Sequence, residues 1–187
     1  MTRRQQHSGF TLIEVLVSLI IIGVGMLGIA KIQALAYAST GTASLRSLAA
    51  LEASSLAAAM RANRNYWSVT AATVSQTITI TGANVTASTD PLLLIAYNCA
   101  LGGGNAPCTA PQLAAYDVQQ WAANLNPLLP SATATIFCEA PVPAGYPLGS
   151  PIDCTVQLNW AERTVGINVQ SDGNAMLAPT YTLYVEP

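Results

Sequence analysis

Charge is scarce in this 187-residue chain: 9% of its residues are Asp, Glu, Lys or Arg, and the formal net charge is −2. No basic field is available to neutralise phosphates, so direct nucleic-acid binding is not expected. Basic side chains thin out along the sequence, with Arg163 alone after Arg64, and the C-terminal body is mildly acidic. Histidine occurs once, as His7, and there is neither a CxxC pair nor a glycine-rich phosphate loop between a strand and a helix. Nucleophile–base, redox and nucleotide chemistries therefore lack their usual parts, and no catalytic residue, cofactor or metal is expected. Asp90, Asp117, Asp153 and Asp172 are too scattered for a calcium loop, and Asp117 is expected on the exposed face of a helix. Proline is absent before Pro91 and cysteine before Cys99, which points to one long helix followed by a loop-rich domain.

The N-terminus carries an apolar run. From Phe10 to Ala30 the chain has no Lys, Arg, Asp or His, and at about 1.5 Å per residue it is long enough to cross a bilayer core of roughly 30 Å. Only Glu14 interrupts it. Arg3 and Arg4 precede the run, which places the N-terminus in the cytoplasm and the remainder outside. Four cysteines, Cys99, Cys108, Cys138 and Cys154, all lie in the part so exported. In an oxidising compartment they allow three connectivities, of which the sequence neighbours, Cys99–Cys108 and Cys138–Cys154, are favoured.

Beyond the run, Leu45, Leu48, Leu56 and Met60 with Ala49 and Ala53 form an apolar stripe, while Arg46, Glu52, Ser55, Arg61 and Asn63 make the polar side of the same helix. Arg61 and Arg64 are expected to bond carbonyls at its end, with a contact to a neighbouring subunit as the alternative. The segment "TVSQTITITGANVTAS" alternates threonine with β-branched residues and breaks at Gly82–Asn84, predicting a hairpin or two short strands. A second helix is predicted from Pro111 to Asn126, capped by Thr109 and ended by Pro127. Strand patterns follow in "TATIFC", "CTVQLNW", "TVGINV" and "YTLYVE", with Ala161–Arg163 joining the middle two as a hairpin. The fold class is α+β, an antiparallel sheet packed on the C-terminal half of the long helix. Trp67, Trp121 and Trp160, Tyr116 and the pair Tyr181 and Tyr184 are expected in the core, with a partner-binding face as the alternative. "CALGGGNAPC" is read as a small disulfide-closed loop rather than a phosphate cradle.

The stretch "GFTLIEVLVSL" resembles the class III leader and N-terminal helix of type IV pilins and of their relatives, the pseudopilins of type II secretion. The matching features are a short basic leader, Gly9 followed by Phe10, Thr11 and Leu12, and Glu14 as the fifth residue of a chain beginning at Phe10. The resemblance implies the type IV pilin fold, cleavage between Gly9 and Phe10 by prepilin peptidase, and N-methylation of Phe10. It also implies the division into a leader at 1–9, a transmembrane and filament-core helix at 10–30, its amphipathic continuation at 31–66 and a disulfide-containing head at 67–187. An ordinary secretory signal would be cut after the apolar run, whereas here the run stays in the mature protein. "LRSLAALEASSLAAAMRANRNYW", "CTAPQLAAYDVQQWAANLNPLLP" and "CTVQLNW" are further similar to minor pilins of the type IV pilus modification protein PilV family.

Glu14 then has two readings. By resemblance to pilins, the amino group of Phe10 neutralises Glu14 of a neighbouring subunit, which sets axial register as helices stack; alternatively, Glu14 lies at the membrane interface of a simple anchor. Gly23, Gly25 and Gly28 either permit close helix approach or local melting, or are ordinary membrane-helix glycines. The helix-distorting proline that many major pilins carry further on is absent. The resemblance implies a minor pilin, held in the inner membrane before assembly, incorporated at or near a pilus tip, and supporting twitching motility and adhesion. Its implied partners are prepilin peptidase, the major pilin, other minor pilins and a PilY-type tip adhesin. A minor pseudopilin is the alternative, and a single-pass anchored periplasmic binding module is the alternative of another class.

Overall fold

A computed structural model describes residues 9–70, 74–99, 107–139, 152–163 and 176–187. Helix α1 runs Leu12–Ala62, as a proline-free, Ala- and Leu-rich segment allows. The chain divides into two compact units between Gly41 and Thr42. In the first, every apolar side chain from Leu12 to Ile32 is exposed, and this helix is long and apolar enough to cross a membrane.

The second unit begins within α1 and continues with α2 (Arg64–Thr70), β1 (Gln76–Thr81), β2 (Asn84–Ser88), a 3-10 turn (Pro91–Leu94) and α3 (Ala110–Leu128). It ends with β3 (Thr133–Cys138), β4 (Cys154–Asn159), β5 (Glu162–Arg163), β6 (Met176–Leu177) and β7 (Thr180–Val185). Five strands form an antiparallel sheet in the order β2-β1-β3-β4-β7, and β5 pairs β6 in a separate ribbon. The unit is therefore α+β, with helices covering one face of an antiparallel sheet.

Alternation along the strands sorts their side chains onto two faces. Ile78, Ile136, Val156 and Leu183 are cross-strand partners in one row of the inner face, and Ile80, Ala134, Leu158 and Tyr181 form the next. Ala49, Ala53, Leu56 and Met60 of α1, Tyr66 and Trp67 of α2, and Val118, Trp121 and Leu125 of α3 complete the buried core. Leu45 and Leu48 pack at its margin. Disulfides join Cys99 to Cys108 and Cys138 to Cys154, the second pair being direct cross-strand neighbours on β3 and β4.

The β1–β2 hairpin turns through Gly82, whose φ of +61° is a left-handed conformation that side-chain-bearing residues disfavour. Several expectations need correction. Helix α3 runs through Pro127 to Leu128 rather than stopping before it, because a proline this late forfeits only its own N–H, and Leu129 N still donates to Leu125 O at 2.9 Å. Strand β4 has both edges filled by β3 and β7, and Glu162–Arg163 pair with Met176–Leu177, so the hairpin expected through Ala161–Arg163 does not form. "TVGINV" itself, like "LGGGNA" and Asp172, lies outside the described residues.

Asn63 is buried instead of facing solvent: it sits at the break between α1 and α2, where its side-chain amide donates to Ala110 O at 2.8 Å. Arg61 does not cap the helix, since its Nε donates to Glu186 O at 3.3 Å. Trp67, Trp121 and Trp160 are in the core as expected, but Tyr184 is 74% exposed.

Candidate functional site

Gly9 and Phe10 are exposed and precede the first helical turn, which opens when Glu14 N and Val15 N donate to Thr11 O at 3.1 and 3.3 Å. Glu14 thus occupies the first turn, where a carboxylate complements the free N–H groups and the helix dipole. Among the described residues the only salt bridge is Arg46–Glu162 at 3.2 Å, so none reaches Glu14. His7, Arg3 and Arg4 lie outside the described residues. Gly23, Gly25 and Gly28 would each accept a Cβ with nothing within 4 Å. No contact made within the described chain therefore demands glycine there.

The second unit brings other polar groups together. Trp121 of α3 donates its indole N–H to Glu52 O of α1 at 2.8 Å, tying the two helices across the core. Beside this bond, Ser55, Asp117, Gln120 and Asn124 line a shallow groove between α1 and α3. Asp117 is half-buried there rather than exposed, and burial pushes its carboxyl above the usual range; burial raises Glu52 in the same way. Tyr66 donates to Asp90 Oδ2 at 2.7 Å, and burial first, then the carboxylate it bonds, pushes its phenol well above its ordinary value. The other Asp90 oxygen accepts from Leu92 N at 2.9 Å and caps the 3-10 turn. These contacts hold elements together. Among the described residues no group of three His, Cys, Asp or Glu side chains is placed to hold a metal.

Sequence reasoning missed the outer face of the sheet. Eight of its twelve outward positions on β1, β3, β4 and β7 are threonine, and the other four are Phe137, Gln157, Asn159 and Tyr184. The "TITIT" alternation was a visible signal, but strand order decides which alternating segments share a face.

Residues 4–30 match the family model of the prokaryotic N-terminal methylation motif. No curated protein and no solved structure matches the chain. The motif supports a type IV pilin-like or pseudopilin-like protein, a class of structural subunits, with a prepilin leader and an N-terminal membrane anchor.

Proposed function

We propose that this chain is a minor pilin of a type IV pilus, of the PilV kind, cut between Gly9 and Phe10 by prepilin peptidase and methylated on Phe10. The observation that carries the reading is the methylation motif over residues 4–30, followed by a helix whose apolar surface is uncovered on every side. Such a surface requires bilayer before assembly and the helices of neighbouring subunits after it. Glu14 in hydrocarbon costs up to about 3 kcal/mol, and the Phe10 amino group of the next subunit offsets that cost only in correct axial register. Residues from Phe10 to the end of α1 supply the stacking shaft, and the disulfide-stapled unit presents the partner-specific surface to other minor pilins, the major pilin and a tip adhesin. The subunit resides in the inner membrane with its head in the periplasm, then joins the pilus, supporting its biogenesis, twitching motility and adhesion.

N-terminal sequencing and intact mass of the protein recovered from sheared surface pili test this. A chain beginning at methylated Phe10 in that fraction is expected. Full-length protein confined to the inner membrane would refute it, as would normal surface piliation in a Glu14→Ala strain whose mutant protein still enters the pilus fraction.

A further inference from the structure

Outward positions on four adjacent strands carry no charge at all, although the second unit as a whole is acidic. Threonine dominates them, Gln157 is exposed, and two aromatic rings stand on the same row: Phe137 on β3 and Tyr184 on β7 are both cross-strand partners of Thr155 on β4. Phe137 is 39% and Tyr184 74% exposed, so neither ring is consumed by the core. With one strand between them and a strand spacing of about 4.8 Å, the two backbone positions lie about 10 Å apart. Just beyond the strand ends, exposed carboxylates of Glu139, Asp153 and Glu186 border this row.

We infer that this sheet face binds a neutral β-1,4-linked glycan chain, seated across the strands on Phe137 and Tyr184. A pyranose ring is amphipathic: its flat C–H face stacks on the negative face of an aromatic ring, while its equatorial hydroxyls point sideways to hydrogen-bonding neighbours. The separation of the two positions is comparable to the two-residue repeat of an extended β-1,4 chain, so that alternate sugars can meet the two rings. Thr135, Gln157 and Thr182 provide hydroxyl and amide groups that both donate and accept, as sugar hydroxyls do. The bordering carboxylates accept from hydroxyls at the end of the chain. An uncharged face costs little to desolvate and offers nothing to phosphate, which selects a neutral polymer over nucleic acid or anionic lipid.

The inference goes beyond the pilin reading and is tested apart from pilus assembly, by depletion of the purified full chain in detergent micelles onto microcrystalline cellulose, with soluble cellohexaose as competitor. Saturable retention that cellohexaose reverses is expected, with Tyr184→Ala weakening it about tenfold. Thr182→Glu, which places a charge beside the rings while sparing both, is expected to weaken it comparably. Disulfide content and the far-ultraviolet spectrum of each variant verify that it is folded. Retention no greater than that of empty micelles would overturn the inference. So would equal retention of Tyr184→Ala, or retention that disappears in about 0.5 M salt, the behaviour of an electrostatic contact rather than of stacking.

Discussion

Replacing both Cys138 and Cys154 with alanine removes the bond between the two central strands. The pair lies 16 positions apart in sequence, and closing a loop of that size restricts the unfolded chain by about 3 kcal/mol. Both cysteines are fully buried on the inner face of the sheet, in the row that also holds Gln76 and Val185, so truncation leaves a small void as well as a longer free loop. The Cys99–Cys108 bond closes a shorter loop of nine and is only half-buried, so its loss costs less, about 2.5 kcal/mol with no core void. For a domain of this size about 3 kcal/mol corresponds to roughly 10 °C in Tm. Calorimetry of the full chain in detergent, reading the transition of the second unit, is expected to rank the parent first, the Cys99/Cys108 double alanine variant second and the Cys138/Cys154 variant last. If the Cys138/Cys154 variant melted within about 2 °C of the parent, or above the Cys99/Cys108 variant, the account of the central strands as the stapled core would be wrong.

Trp121→Phe keeps the ring in the core but deletes the indole donor to Glu52 O, and is expected to lower stability by about 1–2 kcal/mol in urea unfolding, with an unchanged m-value. Gly82→Ala forces a Cβ onto a φ of +61° and is expected to cost about 1 kcal/mol by the same assay, even though the nearest atom, Asn126 Oδ1, stays 3.7 Å from that Cβ. Asp117 has a carboxyl raised by burial, so its protonated form is the one the fold favours; that contribution is complete below the ordinary carboxylate pKa and is lost as pH rises through the raised value. Asp117→Asn is therefore expected to flatten the fall in Tm across that window, and an unaltered pH profile would show that the carboxylate is fully solvated.

The sequence made some elements plain and hid others, for reasons that follow from the range of the forces involved. Helix α1 and the start of α3 are local products of composition, proline placement and the Thr109–Gln112 cap, where Gln112 Oε1 accepts from Thr109 N at 2.9 Å, and each was legible in a short window. The strands were legible as alternating segments, but their order was not. Joining β4 to the segment after Arg163 was the locally cheapest topology, yet β7 takes that edge because Tyr181, Leu183 and Val185 carry their row of the inner face beside β4, whereas Glu162 and Arg163 turn away to pair with Met176 and Leu177. Asn63 misled for a similar reason: an asparagine on a helix face reads as solvated until the start of α3 brings the Ala110 carbonyl within reach of its side-chain amide. Phe137 and Tyr184 belong to different strands far apart in sequence, and only the β3-β4-β7 order makes them neighbours across Thr155.

The two units solve opposite burial problems. In the second, apolar surface is matched within the chain, down to an inner sheet row in which Ile78, Ile136, Val156 and Leu183 stand side by side. In the first, no apolar side chain from Leu12 to Ile32 is covered by the chain that carries it. A helix apolar all round cannot remain in water, so its partner is lipid or other helices. Lipid alone would satisfy the leucines and isoleucines, whereas Glu14 gains nothing from hydrocarbon and has within its own chain only the free N–H groups of the first helical turn. On the proposed pilin reading, a neighbouring helix with a free amino terminus would satisfy both at once. Glu14→Leu should therefore hold the protein in the bilayer at least as well as the parent while reducing its recovery in sheared pili, a separation that an anchor serving only to retain the head would not produce.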